Sequence, residues 1–163
     1  MKAVLDHESR VDADDRLALR LWLRLLSCTN LIEGRARKKL RGEFATTLPR
    51  FDLMAQLERH PAGLKMNDIS RRMMVTGGNV TRITDQLVAE GLVTRASAPG
   101  DRRATAVRLT PAGRRSFAVM ARAHEAWIVE LLGGLGHKER LLLYGLLAKI
   151  KTRIIALDRE AST

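Results

Sequence analysis

The sequence predicts a mainly α-helical chain carrying one small β-wing, and three observations carry that expectation. Apolar residues recur at helical spacing in the stretches on both sides of a central segment. Within that segment, two short helical patterns are separated by a break at Val75-Thr76-Gly77-Gly78. Two β-prone runs follow, residues 92–97 and 105–109, joined by Ala98-Pro99-Gly100-Asp101-Arg102-Arg103, where Pro and Gly mark a tight hairpin tip. Helix, turn, helix and then a basic hairpin is the order of a winged helix-turn-helix, a unit that reads DNA.

Taken in order, residues 1–13 are polar and expected to fray. Residues 14–41 predict one long helix, with Leu17, Leu21, Leu25, Cys28 and Ile32 at alternating steps of four and three. Leu19, Trp22, Leu23, Leu26 and Leu31 widen that line. A helix apolar around so much of its girth needs cover on more than one side, from its own domain and from a partner subunit. Residues 42–48 read as a connector. A second helix is expected over 48–59, with Pro49 in its first turn and Phe51, Leu53, Met54 and Leu57 as its core face. His60-Pro61-Ala62-Gly63 stops it, and residues 64–66 are a short strand candidate.

The motif's first helix is expected over 68–74 and its second over 79–90, with Val80, Ile83, Leu87 and Val88 apolar at helical spacing. Gly91 stands where a left-handed residue would end that second helix. Thr110-Pro111 reads as an N-cap and first position opening a helix over 111–132, with Phe117, Met120, Trp127, Ile128 and Leu131 as apolar positions. Gly133-Gly134-Leu135-Gly136 breaks the chain, and residues 137–157 form the last predicted helix, with Leu142, Leu146, Leu147, Ile150 and Ile154 on one face.

Composition narrows the function. The 163 residues suit one domain with helical extensions, and a formal charge of +11 from 29 Lys and Arg favours nucleic acid as partner. Aromatic residues make up only 4%, too few for a protein that stacks single-stranded bases. The lone Cys28 cannot form an internal disulfide, which fits a reducing cytoplasm. The start, Met1-Lys2-Ala3-Val4-Leu5-Asp6, is charged too soon for a signal peptide, and Arg20 and Arg24 interrupt the richest apolar run, so no membrane partner is expected. His7, His60, His124 and His137 are scattered, and neither a thiolate cluster nor a phosphate loop is evident. A non-enzymatic protein without cofactor or metal is the expectation.

A helix fits the major groove of duplex DNA, and the first turn of the motif's second helix should point into it. The contact candidates are therefore Thr76, Gly77, Gly78, Asn79, Thr81 and Arg82, with Thr76 also the candidate N-cap. Gly77 and Gly78 lack bulk and let backbone amides approach phosphate at a helix N-terminus. Asn79 and Arg82 can hydrogen-bond to base edges; for Arg82 a phosphate contact or a solvated charge is the plainer reading. Arg71 and Arg72, on the preceding helix, would contact the phosphate backbone and position the protein. Arg95 at the wing base is a further phosphate candidate. A sequence-indifferent architectural binder, which charge alone would explain, is the rival within DNA binding.

The run Arg35-Ala36-Arg37-Lys38-Lys39-Leu40-Arg41 has two readings. It is a solvated helix end favoured by the dipole, or some of its cations face a cleft and hold an anion. Arg35, Lys38 and Lys39, with Trp22 to cover an aromatic ring, are the candidate ligand residues on the second reading.

Val80-Thr81-Arg82, Leu87, Glu90-Gly91-Leu92-Val93 and Arg95, then Asp101-Arg102-Arg103, Val107-Arg108-Leu109-Thr110 and Gly113, resemble in order and spacing the reading helix and wing of the MarR family of bacterial regulators. The resemblance implies that the strand candidate at 64–66 closes a small sheet with the wing. It implies that Asp101 holds Arg103 for the minor groove, with Arg102 on phosphate. It implies three regions: 1–45 and 111–163 forming a dimerisation region, and 46–110 reading DNA. It further implies a homodimer on a pseudo-palindromic site of double-stranded DNA, acting as a repressor. The inducer it suggests is a small anionic aromatic compound or its acyl-CoA thioester. Oxidation of Cys28 is the alternative trigger that the family suggests.

Overall fold

The computed structural model describes residues 16–73, 76–98 and 101–161, and the side chains of 97, 98 and 101–104 fall outside the description. The expected frayed start, Met74-Val75 in the motif's break and the Pro99-Gly100 tip lie outside the described residues. The described chain forms helices α1 (Leu17–Phe44), α2 (Leu48–Glu58), α3 (Met66–Met73), α4 (Gly77–Ala89), α5 (Pro111–Leu131) and α6 (His137–Glu160), with strands β1 (Leu64–Lys65), β2 (Val93–Ala98) and β3 (Asp101–Leu109). It is the mainly helical fold with a small wing that the sequence predicts. The backbone divides into two compact units, with the boundary in the chain between Glu125 and Ala126.

In the first unit, α2, α3 and α4 pack with one another and against the sheet. Phe51, Leu53, Met54 and Leu57 of α2 are all buried, as their spacing requires. So are Ile69 of α3 and Val80, Ile83 and Leu87 of α4. Val88 is not part of that face: it lies one step round the helix and is 36% exposed. Thr84 is fully buried, and its hydroxyl donates to the Val80 carbonyl at 2.8 Å, so the polar group is satisfied inside the core.

The sheet runs β1-β3-β2, antiparallel throughout. Leu64 pairs with Val107 and Val93 with Leu109, and these four side chains are buried. The short strand does close a sheet with the wing, but it ends at Lys65 because Met66 already opens α3. The hairpin is longer than expected. β3 begins at Asp101, so pairing continues through residues read as loop, with a register shift at Ala98.

Two further boundaries differ from the sequence reading. Helix α1 runs on through Gly42 to Phe44, because no proline stops it and Lys39 pairs with Glu43 one turn on. It ends at Ala45, in the left-handed region at φ 50°, beyond the fully buried Leu40. Helix α4 starts at Gly77, which places both glycines inside its first turn.

The end of α4 is built by backbone geometry. Gly91 takes φ 70°, the Leu92 amide donates to the Leu87 carbonyl at 3.0 Å, and the Gly91 amide donates to the Val88 carbonyl at 2.9 Å. This is a Schellman stop, and glycine supplies the left-handed residue without steric cost. Helix α5 begins against the same corner. A side chain at Gly113 would overlap the Leu92 carbonyl oxygen, so only glycine permits the approach. Thr110 joins the two helices: its hydroxyl donates to the Gly91 carbonyl at 2.7 Å and accepts from the Gly113 amide at 2.9 Å.

Helix α6, described on its own, has no buried residue, and Leu142, Leu146, Leu147, Ile150 and Ile154 are all exposed. On α1, Leu17 and Leu21 are more than half exposed, and Cys28 is exposed as well, although the apolar line around it predicts cover. No described helix is long and apolar enough to cross a membrane.

Thr110→Val keeps the side-chain shape and removes both hydrogen bonds. Losing this N-cap should cost about 1–2 kcal/mol in urea unfolding; an unchanged midpoint would show that the shared hydroxyl contributes nothing.

Candidate nucleic-acid interface

Thr76 occupies the N-cap position of α4 with extended backbone, φ −65° and ψ 147°, yet its side chain makes no capping hydrogen bond. Its carbonyl accepts from the Asn79 and Val80 amides at 3.1 and 3.2 Å. The amides of Gly77 and Gly78 come earlier in the turn than any carbonyl of the helix can serve. Both glycines are exposed, and an added Cβ at either would meet nothing within 4 Å. Their backbone is ordinary right-handed helix, so neither turn geometry nor packing calls for glycine there. What the two residues provide is a helix N-terminus whose first amides lack an intrahelical partner, suited to an anion.

Around that turn, the Arg82 guanidinium donates to Asn79 Oδ1 at 3.3 Å, so the two base-edge candidates are joined on the outer face of the helix. The Thr81 hydroxyl donates back to the Gly77 carbonyl at 3.0 Å, so its proton is used within the helix and its oxygen is left as an acceptor. Arg71 pairs with Asp68 at 2.5 Å and is 79% exposed, and Arg72 is exposed beside it. Arg95 is bound to Asp85 of α4 at 2.7 Å, so this phosphate candidate ties the wing to the reading helix. A second ion pair, Arg50 with Glu90, holds the end of α4 to α2. Asp101, Arg102 and Arg103 lie on β3 by their backbone, and their side chains are outside the description.

The ligand candidates are brought together only in part. Arg35, Lys38 and Lys39 border a hollow of 530 Å³ with Gly42 and Glu43. All of these lie on α1, so the hollow is a surface of one helix and not a cleft between helices. Trp22 is not among them and is 56% exposed. At 1.5 Å per residue it stands roughly 20 Å up the helix from Arg35, too far to cover a ring held at the basic run.

A cavity that sequence reasoning missed lies elsewhere. It measures 590 Å³, within the range of small-molecule sites. Helix α2 supplies Phe51, Asp52, Ala55, Gln56 and Glu58, with Arg59 as its C-cap; α3 supplies Arg72 and Met73; α5 supplies Phe117, Ala121 and His124. Phe51 packs its ring 5.4 Å from that of Phe117 and 4.8 Å from that of His124, centre to centre. Burial lifts the Asp52 carboxyl above its ordinary value, with Glu33 adding to the shift and Arg37 opposing it. Burial also lowers the His124 imidazole, which favours its neutral form. A signal was present: Asp52, Ala55, Gln56 and Arg59, and separately Phe117, Ala121 and His124, recur at helical spacing. Nothing local shows that these two faces meet.

An open helix N-terminus followed by outward polar side chains and a three-stranded wing is the apparatus of a winged helix-turn-helix DNA-binding protein. Comparison with known proteins narrows the class. The sequence profile of the MarR family matches residues 46–104. A MarR family transcriptional regulator from Silicibacter pomeroyi superposes with a TM-score of 0.74 at 31% identity, covering 88% of this chain and 99% of that one. The chain belongs to the MarR family, whose members are DNA-binding transcriptional regulators and not enzymes. It is also 32% identical over 95 residues to the uncharacterized HTH-type transcriptional regulator YdgJ of Bacillus subtilis, a match spanning 58% of each chain. The transcriptional activatory protein BadR of Rhodopseudomonas palustris is 27% identical over 158 residues, covering 95% of this chain and 90% of that protein.

For Asp52 the pH dependence has a definite sign. The folded chain holds this proton to higher pH than the unfolded chain does. The folded state is therefore relieved of the buried charge below the ordinary value of 3.8 and loses that advantage as pH rises through the raised folded value. Asp52→Asn should melt above the parent chain near about pH 7, with the gap closing below about pH 4. A pH-independent gap would mean that the substitution acts through packing.

Proposed function

We propose that this chain is a sequence-specific regulator that binds a pseudo-palindromic operator in double-stranded DNA as a homodimer and leaves it when a small ligand binds. The observation that carries the reading is the first turn of α4, with two exposed glycine amides that no carbonyl of the helix serves, exposed Thr81 and Arg82, and open space where a Cβ of either glycine would stand. On this reading Thr76, Gly77, Gly78, Asn79, Thr81 and Arg82 meet the major groove, and Arg71 and Arg72 hold phosphate. Asp101 orders Arg103 for the minor groove while Arg102 takes a phosphate. Arg95 reaches DNA only by sharing itself with Asp85. Residues 46–110 are the reading part, and residues 1–45 and 111–163 the dimerisation region. The exposed apolar residues of α1 and of α6 support that division.

The ligand is an anionic aromatic compound or its acyl-CoA thioester, and its site is the cavity beside α3. Phe51 and Phe117 offer flat apolar walls, and Arg59 and Arg72 offer guanidinium groups to a carboxylate or phosphate. A ligand held by Arg72 would draw on a residue that the DNA backbone also needs. Arg35, Lys38 and Lys39 form the competing anion surface. A second trigger, peroxide acting at Cys28, is the rival reading, although that thiol lies on the helix assigned to the dimerisation region. Repression is the proposed mode; the name of the relative BadR makes activation the other arm of a reporter assay.

Gel-shift titration separates these claims. Arg103→Ala should weaken binding to the duplex selected by the parent chain at least about tenfold, equal to 1.4 kcal/mol, and leave the dimer intact. Unchanged affinity would remove the wing from the mechanism. A selected-to-random affinity ratio near one would instead favour the architectural binder. Ala121→Trp fills the cavity and should abolish release by an aromatic acid or acyl-CoA thioester while DNA binding persists. Loss of release in Arg35→Gln with Lys39→Gln, but not in Ala121→Trp, would move the ligand to α1.

A further inference from the structure

Arg50 sits in the first turn of α2, where a cation opposes the helix dipole. Glu90 is the C-cap residue of α4, where a carboxylate opposes that dipole in turn. Each charge is misplaced for its own helix. Across 40 positions of sequence the two form a hydrogen-bonded ion pair. The Arg50 side chain is only 16% exposed, and its Nε is buried without a hydrogen-bond partner. Water therefore does little to compensate this guanidinium, and Glu90 is the carboxylate that does.

The place of the pair gives it a use. Glu90 immediately precedes Gly91, whose left-handed backbone turns the chain from the reading helix into the wing. Asp85, on the same helix, is tied to Arg95 of β2. Helix α4 is thus held by charge on two sides, to α2 through Glu90 and to the wing through Asp85. Side chains that read base edges need angular accuracy, because hydrogen bonds weaken steeply when misdirected. Phosphate contacts tolerate more error.

We propose that Arg50 is a positioning residue for DNA reading, acting through Glu90 to fix the angle of α4, so that the pair sustains discrimination between sequences more than affinity for DNA as such. This rests on the DNA-reading role of α4 set out above.

The test uses the full chain, the duplex that it selects from a randomised pool, and a random duplex of equal length at one salt concentration. Glu90→Gln makes the protein more cationic, so electrostatics alone predicts tighter binding to both duplexes. Positioning predicts the opposite for the selected one: at least about fivefold weaker binding to it, with random-duplex affinity equal or higher. The net-charge-conserving exchange Arg50→Glu with Glu90→Arg should recover most of the selected-to-random ratio, since each side chain then also suits its own helix dipole. Should the exchange variant fail to fold, Glu90→Gln decides alone, read with its melting temperature. An unchanged ratio in Glu90→Gln, or a parallel fall in both affinities together with melting temperature, would overturn the positioning role. A parent chain that selects no sequence from the pool would overturn the DNA-reading role itself and this inference with it.

Discussion

Val80, Ile83, Thr84 and Leu87 form one face of α4, and none is more than 2% exposed. Fully burying an aliphatic side chain is worth about 1.5–3 kcal/mol, so the four together outweigh any one ion pair, and a pair as exposed as Asp85–Arg95 contributes only roughly 0–1 kcal/mol. Burial therefore decides where the reading helix sits, and the pairs Asp85–Arg95 and Arg50–Glu90 can only refine its orientation. The same inward face dictates that Gly77, Gly78, Thr81 and Arg82 look outward. The wing depends on that seat too, since the Schellman turn at Gly91 leads directly into β2.

Much of this was legible in the sequence because the signals were local. Gly91 announces the end of α4, Thr110-Pro111 the start of α5, and the spacing of Val80, Ile83 and Leu87 the buried face. Where the outcome depended on distant residues, the reading fell short. Helix α1 outran its expected end because its stop lies beyond the buried Leu40 at left-handed Ala45, and neither residue type announces that role. The wing strands outran theirs because antiparallel pairing carries residues through a stretch of turn-like composition. The cavity was not foreseen because its walls come from α2, α3 and α5. Trp22 was joined to the basic run by chemical type, and the rise of the helix separates them. The partnership of Arg50 with Glu90 has no periodicity to betray it.

The charge of the chain takes on more meaning when the paired residues are set aside. Arg37, Arg50, Arg71 and Arg95 each have a carboxylate partner. Arg72 and Arg82 have no carboxylate partner among the ion pairs described, and both lie on the helix-turn-helix. Two such cations on the exposed side of α3 and α4 add attraction for polyanions where geometry turns these helices outward. The apolar exposure of α1 and of α6 is the complementary signal, since water-facing leucines in this number usually mark a surface that another protein covers.

The open ground before Gly77 and Gly78 has an evolutionary consequence. Surface substitutions away from packing and capping features usually change stability by less than about 0.5 kcal/mol, and the outer positions of α4 meet that condition. On the proposed role of α4, mutations there would alter which promoters a lineage recognises while the scaffold stays intact. Gene duplication followed by drift at these few sites would give sister regulators with separate targets, each inheriting the same fold.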